Sequence, residues 1–464
     1  MTGLALSSLW GALSFAPDLS PDYLRALIGP TIATLGMAAA GMLIACAAGL
    51  PLSLIVATRL PGSRALYEML TALRAIPDLT LAILCVVVLG IGPAAGILAL
   101  AIFYTAMLGK VFADLFLSAD LGPLQALSAT GASRISIALF GLIPLKLKDL
   151  VTHGCYSFEC AVRAAVIVGA VGGGGLGTEL VGTLNALDYH RAATLILVLV
   201  AIMAAIDQAG WLIRRMPRLV LVLVPAGAAA LWMFRPRLFA ISHAGVVFAA
   251  MFPPRLPLDA LYRLPLLLGE TLLVAIGGTV LAAAIALPLG FASARNFSPG
   301  VPRAVVRSAL EVLRAVPEVV WGLVLVSLVG VGPKAGIIAL GLHSAGVLGK
   351  LYAESFENVR VGPVRAIEAT GGGRLALAGF AFVPLALGPI AVHTLFRFEW
   401  NLRAATVIGM IGAGGIGEAL FEAQQLFFYR QMMAYLFITW AIVSLADYVS
   451  QNTRRRIGCA LVPA

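Results

Sequence analysis

The chain has 464 residues, of which 61% are hydrophobic and only 12% charged, and 32 Lys and Arg against 22 Asp and Glu leave it at +10. A soluble domain carries about a quarter charged residues and under half apolar ones, so a cytosolic enzyme, a disulfide-stapled secreted domain and a disordered chain are excluded. Apolar runs near or beyond the ~20 residues that span a bilayer, with none of the alternation of barrel strands, predict an all-α polytopic membrane protein.

In chain order, the N-terminus lacks a basic leader, so no cleavable signal peptide is expected. An apolar helix near 31–57 ends at the loop carrying Arg59, Arg64 and Arg74, which the positive-inside bias assigns to the cytoplasm. A helix near 76–90 goes out, the glycines and proline at 90–93 turn the chain, and a helix near 95–113 returns. The polar stretch 118–137 is then cytoplasmic. A helix near 142–160 goes out, a glycine-rich segment at 169–177 stays near the outer face, and a helix near 192–213 returns to Arg214, Arg215 and Arg218.

The rest of the chain repeats this plan. Arg74-Ala75-Ile76-Pro77 recurs as Arg314-Ala315-Val316-Pro317, Gly109-Lys110 as Gly349-Lys350, Ala129-Thr130-Gly131 as Ala369-Thr370-Gly371, and Arg163-Ala164-Ala165 as Arg403-Ala404-Ala405, each pair 240 positions apart. Upstream the spacing is 237, as in Asp22 with Asp259 and Thr34 with Thr271, so the second copy gained three residues near Asn296. Five spans is an odd number, and both copies carry their arginines at equivalent places. Parallel repeats therefore need a linker that also crosses, and the apolar stretch from Leu219 to Phe234 is about one membrane long. The expected organisation is a first repeat at 1–217, a linker helix at 218–239 and a second repeat at 240–464, about 11 spans in all, with 4–28 and 240–264 at the outer surface. Parallel repeats imply a pseudo-twofold along the membrane normal, with a pathway at the repeat interface.

The basic balance is explained by topology and not by nucleic acid. The five cysteines form no CxxC pair and read as small hydrophobes. Gly172, Gly174 and Gly177, with Gly412, Gly414 and Gly417, fit a dinucleotide fingerprint by spacing alone. The required βαβ unit and acidic residue are missing, so these glycines are expected to allow close helix contact or an irregular backbone. No phosphate-binding loop, metal-ligand spacing or nucleophile–base constellation is found, so no catalytic residue, cofactor or metal is expected.

Ionisable residues within spans are functional candidates because burying them in lipid is costly. His153 and His393 are equivalent across the repeat, and Glu159, Arg163, Glu399, Asn401 and Arg403 follow on the same helices. Glu and Arg four apart can pair along one helix face. Alternatively the arginines face a pathway and attract an anion, for which a guanidinium fork is suited. Lys110 and Lys350 are explained by snorkelling.

Two stretches carry a resemblance. Gly122, Pro123, Gln125, Ala126, Ala129, Thr130 and Gly131, with Pro144 thirteen residues after the last glycine, are mirrored by Gly362, Pro363, Arg365, Ala366, Glu368, Ala369, Thr370 and Gly371 with Pro384. This resembles the cytoplasmic Glu-Ala-Ala loop of permease subunits of ATP-binding-cassette importers. Here the Glu position holds Gln125 and Arg365, the second Ala holds Leu127 and Ile367, and a later Ile holds Gly141 and Ala381. Phe398-Glu399-Trp400-Asn401-Leu402-Arg403-Ala404-Ala405-Thr406, leading to Gly412-Ala413-Gly414-Gly415-Ile416-Gly417, is similar to the phosphonate-type branch of that family, and Phe158 to Gly177 is a more divergent copy.

The resemblance implies a fused permease dimer whose loops are coupling helices. It further implies two copies of an ATPase subunit, a periplasmic or lipoprotein substrate-binding protein, a small anionic substrate such as a phosphonate, and a setting in inner-membrane lipid. Two other readings stay open: an importer for another small solute, such as an amino acid or a metal complex, and an ATPase-independent secondary transporter.

Overall fold

A computed structural model of the chain describes residues 16–74, 76, 78–186, 188–216, 220–238, 244–297 and 300–461. The described residues are helical, without strands, and fall into two compact units, 1–250 and 251–464.

In the first unit a single turn, Pro21–Ala26, leads into α1, Ile28–Ala57. Then come α2, Ser63–Arg74; α3, Asp78–Leu89; α4, Pro93–Leu117; and the short α5, Leu121–Ala129. A turn at Arg134–Ile137 and a wider one at Ala138–Leu142 enter α6, Ile143–Val168. A wide glycine turn at Gly169–Gly173 follows, then α7, Leu176–Asn185; α8, Tyr189–Arg215; and α9, Val220–Leu238. The second unit runs α10, Leu258–Ser293; α11, Gly300–Ala315; α12, Glu318–Val329; α13, Pro333–Glu357; α14, Val361–Ala369; α15, Val383–Ile408; α16, Gly415–Gln425; and α17, Tyr429–Leu461.

Seven helices are long and apolar enough to cross a membrane, and ten spans result if each of three bent pairs crosses once. Those ten are the five expected in each repeat. The eleventh expected span, the linker, is not among them: Val222–Phe234 within α9 is a shorter apolar stretch, and α9 packs on α1. The outer-surface segments are shorter than the sequence suggests. Helix begins at Pro21 and at Leu258, where Asp22 and Asp259 sit in the first turn and favour the positive end of the helix dipole. Residues 4–15, Arg218 and 240–243 lie outside the described residues. The fourth span, expected near 142–160, extends to Val168.

α1 packs along α4, and α10 along α13. These seams are lined by small residues that let helix axes approach when lipid offers no hydrophobic drive. Gly49 lies against the backbone of Gly109, and Gly290 against the Tyr352 Cβ. The N-terminal stretch is tied to the start of α8. Asp18 N–H donates to the His190 carbonyl at 3.3 Å, and Thr194 Oγ1 donates to the Asp18 carbonyl at 2.8 Å. The Ser20 backbone and hydroxyl hold the Asp18 carboxyl below its ordinary range, and Arg191 adds to this. In the second unit Arg255 N–H reaches the Arg430 carbonyl at 3.1 Å, the same tie 237 and 240 positions on.

The glycine runs break a long helix in both units. Gly172 and Gly412 both have φ near +109°, followed by further positive φ at Gly174 and Gly175, Gly414 and Gly415. L-residues with side chains avoid this region. The chain bends there by 60° in the first unit before α7 begins. The freed amides are met from neighbouring helices. Leu176 N–H donates to Thr34 Oγ1 at 2.9 Å and Ile416 N–H to Thr271 Oγ1 at 3.0 Å, while Gly92 N–H and Gly332 N–H donate to the Gly172 and Gly412 carbonyls at 2.9 and 2.7 Å. The glycines thus form a helix break, as the sequence suggested, and not a nucleotide cradle. Thr271→Val keeps the shape but leaves the Ile416 amide without its acceptor. It is expected to destabilise the second unit by about 1–3 kcal/mol, read as a lower midpoint in thermal unfolding of the detergent-solubilised chain.

Candidate functional site

The first candidate element is the helix–glycine unit at α5 and α14. In α5, Asp120 accepts the Gly122 amide at 3.0 Å and caps the first turn. Leu124 and Leu127 point inward, and Gly122, Pro123, Gln125, Ala126, Ala129 and Thr130 are exposed. The inward pair fills the space over Gly141, where an added Cβ would lie 2.6 Å from Leu127 and 3.1 Å from Leu124. The equivalent position in the second unit, Ala381, is fully buried with Val364 and Ile367 in one apolar cluster. This explains why small residues stand where the family motif has Ile. Gly131 and Gly371, at φ +79° and +78°, reverse the chain in the left-handed region. Gly371 N–H caps onto the Glu368 carbonyl at 2.9 Å. Gly362, Pro363, Arg365, Ala366, Glu368, Ala369, Thr370 and Gly371 are all exposed.

The second candidate element is the set of ionisable side chains on α6 and α15. Glu159 and Arg163 on α6, and Glu399 and Arg403 on α15, have ion-pair partners on another helix. Each reaches across to the following long helix. Glu159 is held by Arg214 at 3.0 Å and Arg163 faces Asp207 at 3.9 Å. Glu399 is held by Arg454 at 2.8 Å and Arg403 by Asp447 at 2.6 Å. A helix turn offers a carboxylate one cation of limited reach, whereas the neighbouring helix brings an oppositely charged side chain face to face. Arg214, read from sequence only as a topology arginine, is therefore an interhelical partner as well, and so is Arg454. Asp207 and Asp447 were missed, although their spacing of 240 was available.

Asn401 does not line an open surface. It is fully buried, donating to Thr279 Oγ1 at 2.9 Å and accepting from Ser344 Oγ at 2.7 Å. Ser344 in turn accepts from Arg397 Nε at 2.8 Å. Beside it in sequence, His343 Nε2 lies 3.4 Å from Glu318 Oε2 and its Nδ1 lies 2.9 Å from the Val316 carbonyl. None of Arg397, His343 and Glu318 was singled out from the sequence. The counterparts of Arg397 and His343 in the first copy are Ser157 and Phe103, so the repeat did not flag them, whereas Glu318 has the acidic Asp78 at its position. His153 is exposed on α6 and His393 half-buried on α15. Lys110 does more than snorkel: its Nζ holds Asp114 at 2.9 Å and Tyr67 Oη at 3.1 Å. Among the described residues Cys46, Cys85, Cys155 and Cys160 form no disulfide. Among the described residues no cluster of His, Cys, Asp or Glu could hold a metal.

A family model described as "Binding-protein-dependent transport system inner membrane component" matches residues 49–216 and 286–458. The chain is 33% identical over 453 residues, 92% of its own length and 85% of the relative's, to the phosphate-import permease protein PhnE of Mycolicibacterium smegmatis. It is 38% identical over 187 residues, 40% of its length and 68% of the relative's, to the phosphite transport system permease protein PtxC of Stutzerimonas stutzeri. A third relative, PhnE2, named for a cryptic phosphonate transport system of Escherichia coli K12, is 41% identical over 119 residues, 26% of this chain and 98% of the relative.

Removing one partner of a buried ion pair strands the other charge, at a cost of about 3–5 kcal/mol. Asp447→Ala is expected to lower thermal stability on that scale, and the exchange Arg403→Asp with Asp447→Arg to recover much of it. The check is the midpoint of thermal unfolding followed by size-exclusion chromatography of a fluorescent fusion.

Proposed function

Because this chain belongs to the family of binding-protein-dependent transport system inner membrane components, we propose that its cargo is a phosphonate or a related phosphorus oxyanion. It is a multi-pass permease subunit of an ATP-binding-cassette importer in the bacterial inner membrane, and a transport subunit, not an enzyme. Membership implies an ATPase chain and a substrate-binding protein as partners.

The substrate class is supported by three relatives named for phosphate, phosphite and phosphonate systems, all tetrahedral phosphorus oxyanions. The chain is read as two permease repeats, 1–217 and 240–464, around a linker at 218–239, in keeping with the two family matches. The observation that carries the coupling role is the duplicated, exposed helix–glycine unit, α5 with Gly131 and α14 with Gly371. Each unit offers one ATPase cleft its own helix, so one chain serves two ATPase copies. ATP-driven closure of those copies moves α5 and α14, and the wide turns at Ala138–Leu142 and Ala378–Phe382 pass the motion to α6 and α15.

Of the seven pathway candidates, His153 and His393 are taken as the groups that meet substrate. Both are accessible and sit at the same register on α6 and α15. Glu159, Arg163, Glu399 and Arg403 act by holding α6 to α8 and α15 to α17, and Asn401 by joining α10, α13 and α15. An imidazole N–H can donate a hydrogen bond to an oxyanion.

In a host lacking its own importers, this chain co-expressed with an ATPase subunit and a substrate-binding protein of its family is expected to support uptake of phosphite, phosphate or methylphosphonate. Uptake of methionine with none of the three would overturn the substrate class. Proline fixes φ near −65°, which the Gly371 position at +78° cannot accept. Gly371→Pro is therefore expected to leave the assembled complex hydrolysing ATP with no response to loaded binding protein. A wild-type response would remove the coupling role from α14.

A further inference from the structure

The second unit contains a cavity of about 300 Å³ where the C-terminal ends of α10 and α13 meet α11. Residues of α11 divide by spacing. Val301, Val305 and Val312 lie on one face and are 75%, 63% and 61% exposed, a bare apolar stripe. Arg307, Glu311 and Arg314 lie on the other side and line the cavity, with Lys350 and Glu354 of α13 opposite. An amphipathic helix with an apolar face open and basic residues inward is the geometry of a helix lying at headgroup depth.

The charges of the cavity are partly paired. Arg307 Nη2 holds Glu357 Oε1 at 2.6 Å and its Nε donates to the Ser293 carbonyl at 3.0 Å; Arg295 also lies 3.8 Å from Glu357. That leaves Arg314 and Lys350 as cations and Glu311 and Glu354 as anions with no ion pair within 4.0 Å among the described residues. Arg314 Nε is a buried donor with no hydrogen-bond partner.

The first unit carries different residues at this register. Tyr67, Lys110 and Asp114 stand where the second has Arg307, Lys350 and Glu354, and they form a compact triad: Tyr67 Oη donates to Asp114 at 2.8 Å and Lys110 Nζ to Asp114 at 2.9 Å. The second unit has other residue types there, and its cavity presents two cations and two carboxylates at once.

We propose that the cavity between α10, α11 and α13 binds a zwitterion made of a phospho-oxyanion and a primary ammonium group. Arg314 and Lys350 take the oxyanion, and Glu311 and Glu354 the ammonium. The volume suits a headgroup-sized ligand. Two sources offer this chemistry: the headgroup of phosphatidylethanolamine in the surrounding leaflet, and a free aminoalkylphosphonate. The bare valine stripe beside the cavity favours the lipid. Such a site tethers α11 to the leaflet at a point the first unit holds internally.

The test is native mass spectrometry of the full chain in detergent, titrated with phosphatidylethanolamine or with phosphatidylglycerol, which has the phosphate and lacks the amine. A saturable first phosphatidylethanolamine adduct, bound more tightly than phosphatidylglycerol, is expected. Lys350→Gln and, separately, Glu354→Gln each weaken it about tenfold, the effect of one lost hydrogen bond to a charged group. Lys110→Gln in the first unit leaves it unchanged. Adding 2-aminoethylphosphonate separates the sources. Displacement of the lipid means the site reads the zwitterion from either, and retention of the lipid means the headgroup is the ligand. Equal binding of the two lipids, or phosphatidylethanolamine binding unaltered in both Lys350→Gln and Glu354→Gln, overturns the proposal.

Discussion

Within a bilayer no water is available to a backbone amide that loses its helical partner. That constraint governs the most irregular feature of this protein, the glycine break between α6 and α7 and its twin between α15 and α16. A break of this kind survives only if other helices supply the missing partners. Thr34 and Thr271 do so with one hydroxyl each, donating to Pro30 or Leu267 in their own helix and accepting from Leu176 or Ile416 across the gap. The Gly92 and Gly332 amides, which open α4 and α13, answer the carbonyls of Gly172 and Gly412. Three helices in each unit are thereby tied at one point.

With that frame held constant, the two copies have diverged in what they bury. The second unit joins three helices through Thr279, Asn401, Ser344 and Arg397. The first has Met42, Ala161, Tyr104 and Ser157 at those positions, a largely apolar set. A buried polar network fixes helix register closely but is worth having only when every member is satisfied. An apolar seam tolerates sliding more readily. The copies differ likewise where Tyr67, Lys110 and Asp114 hydrogen-bond to one another in the first unit and their counterparts Arg307, Lys350 and Glu354 line a cavity in the second.

Much of the fold was legible in the sequence because it rests on one-dimensional signals. Apolar runs marked the spans, and a constant spacing of 240 marked the repeat and aligned Gly131 with Gly371. The helix break was foreseen in kind, since no other residue tolerates φ near +109° at Gly172 and Gly412. The charged site was read less well. Four-residue spacing pointed Glu159 at Arg163, yet the partners lie 55 and 44 positions away, at Arg214 and Asp207. Spacing along one helix is visible in a sequence, whereas the facing helix is not. Arg397 and His343 escaped notice for a related reason: duplication was used as the sign of importance, and these residues occur in one copy only.

The exposed helices α5 and α14 show how local and tertiary requirements meet in one motif. Glycine at 131 and 371 is required by the backbone alone, because the chain must reverse in the left-handed region after a short helix. The small residues at 141 and 381 are required by packing, because Leu124 and Leu127, or Val364 and Ile367, need the space above them. Those inward side chains anchor one face of a helix too short to be stable by itself, which frees Gln125, Ala126, Ala129 and their counterparts from any structural duty. A face that the fold does not use, held at fixed geometry and present once per repeat, is what a partner outside the membrane can grip. The Glu-to-Gln125 and Glu-to-Arg365 departures fall on that free face. They change the charge on that exposed face.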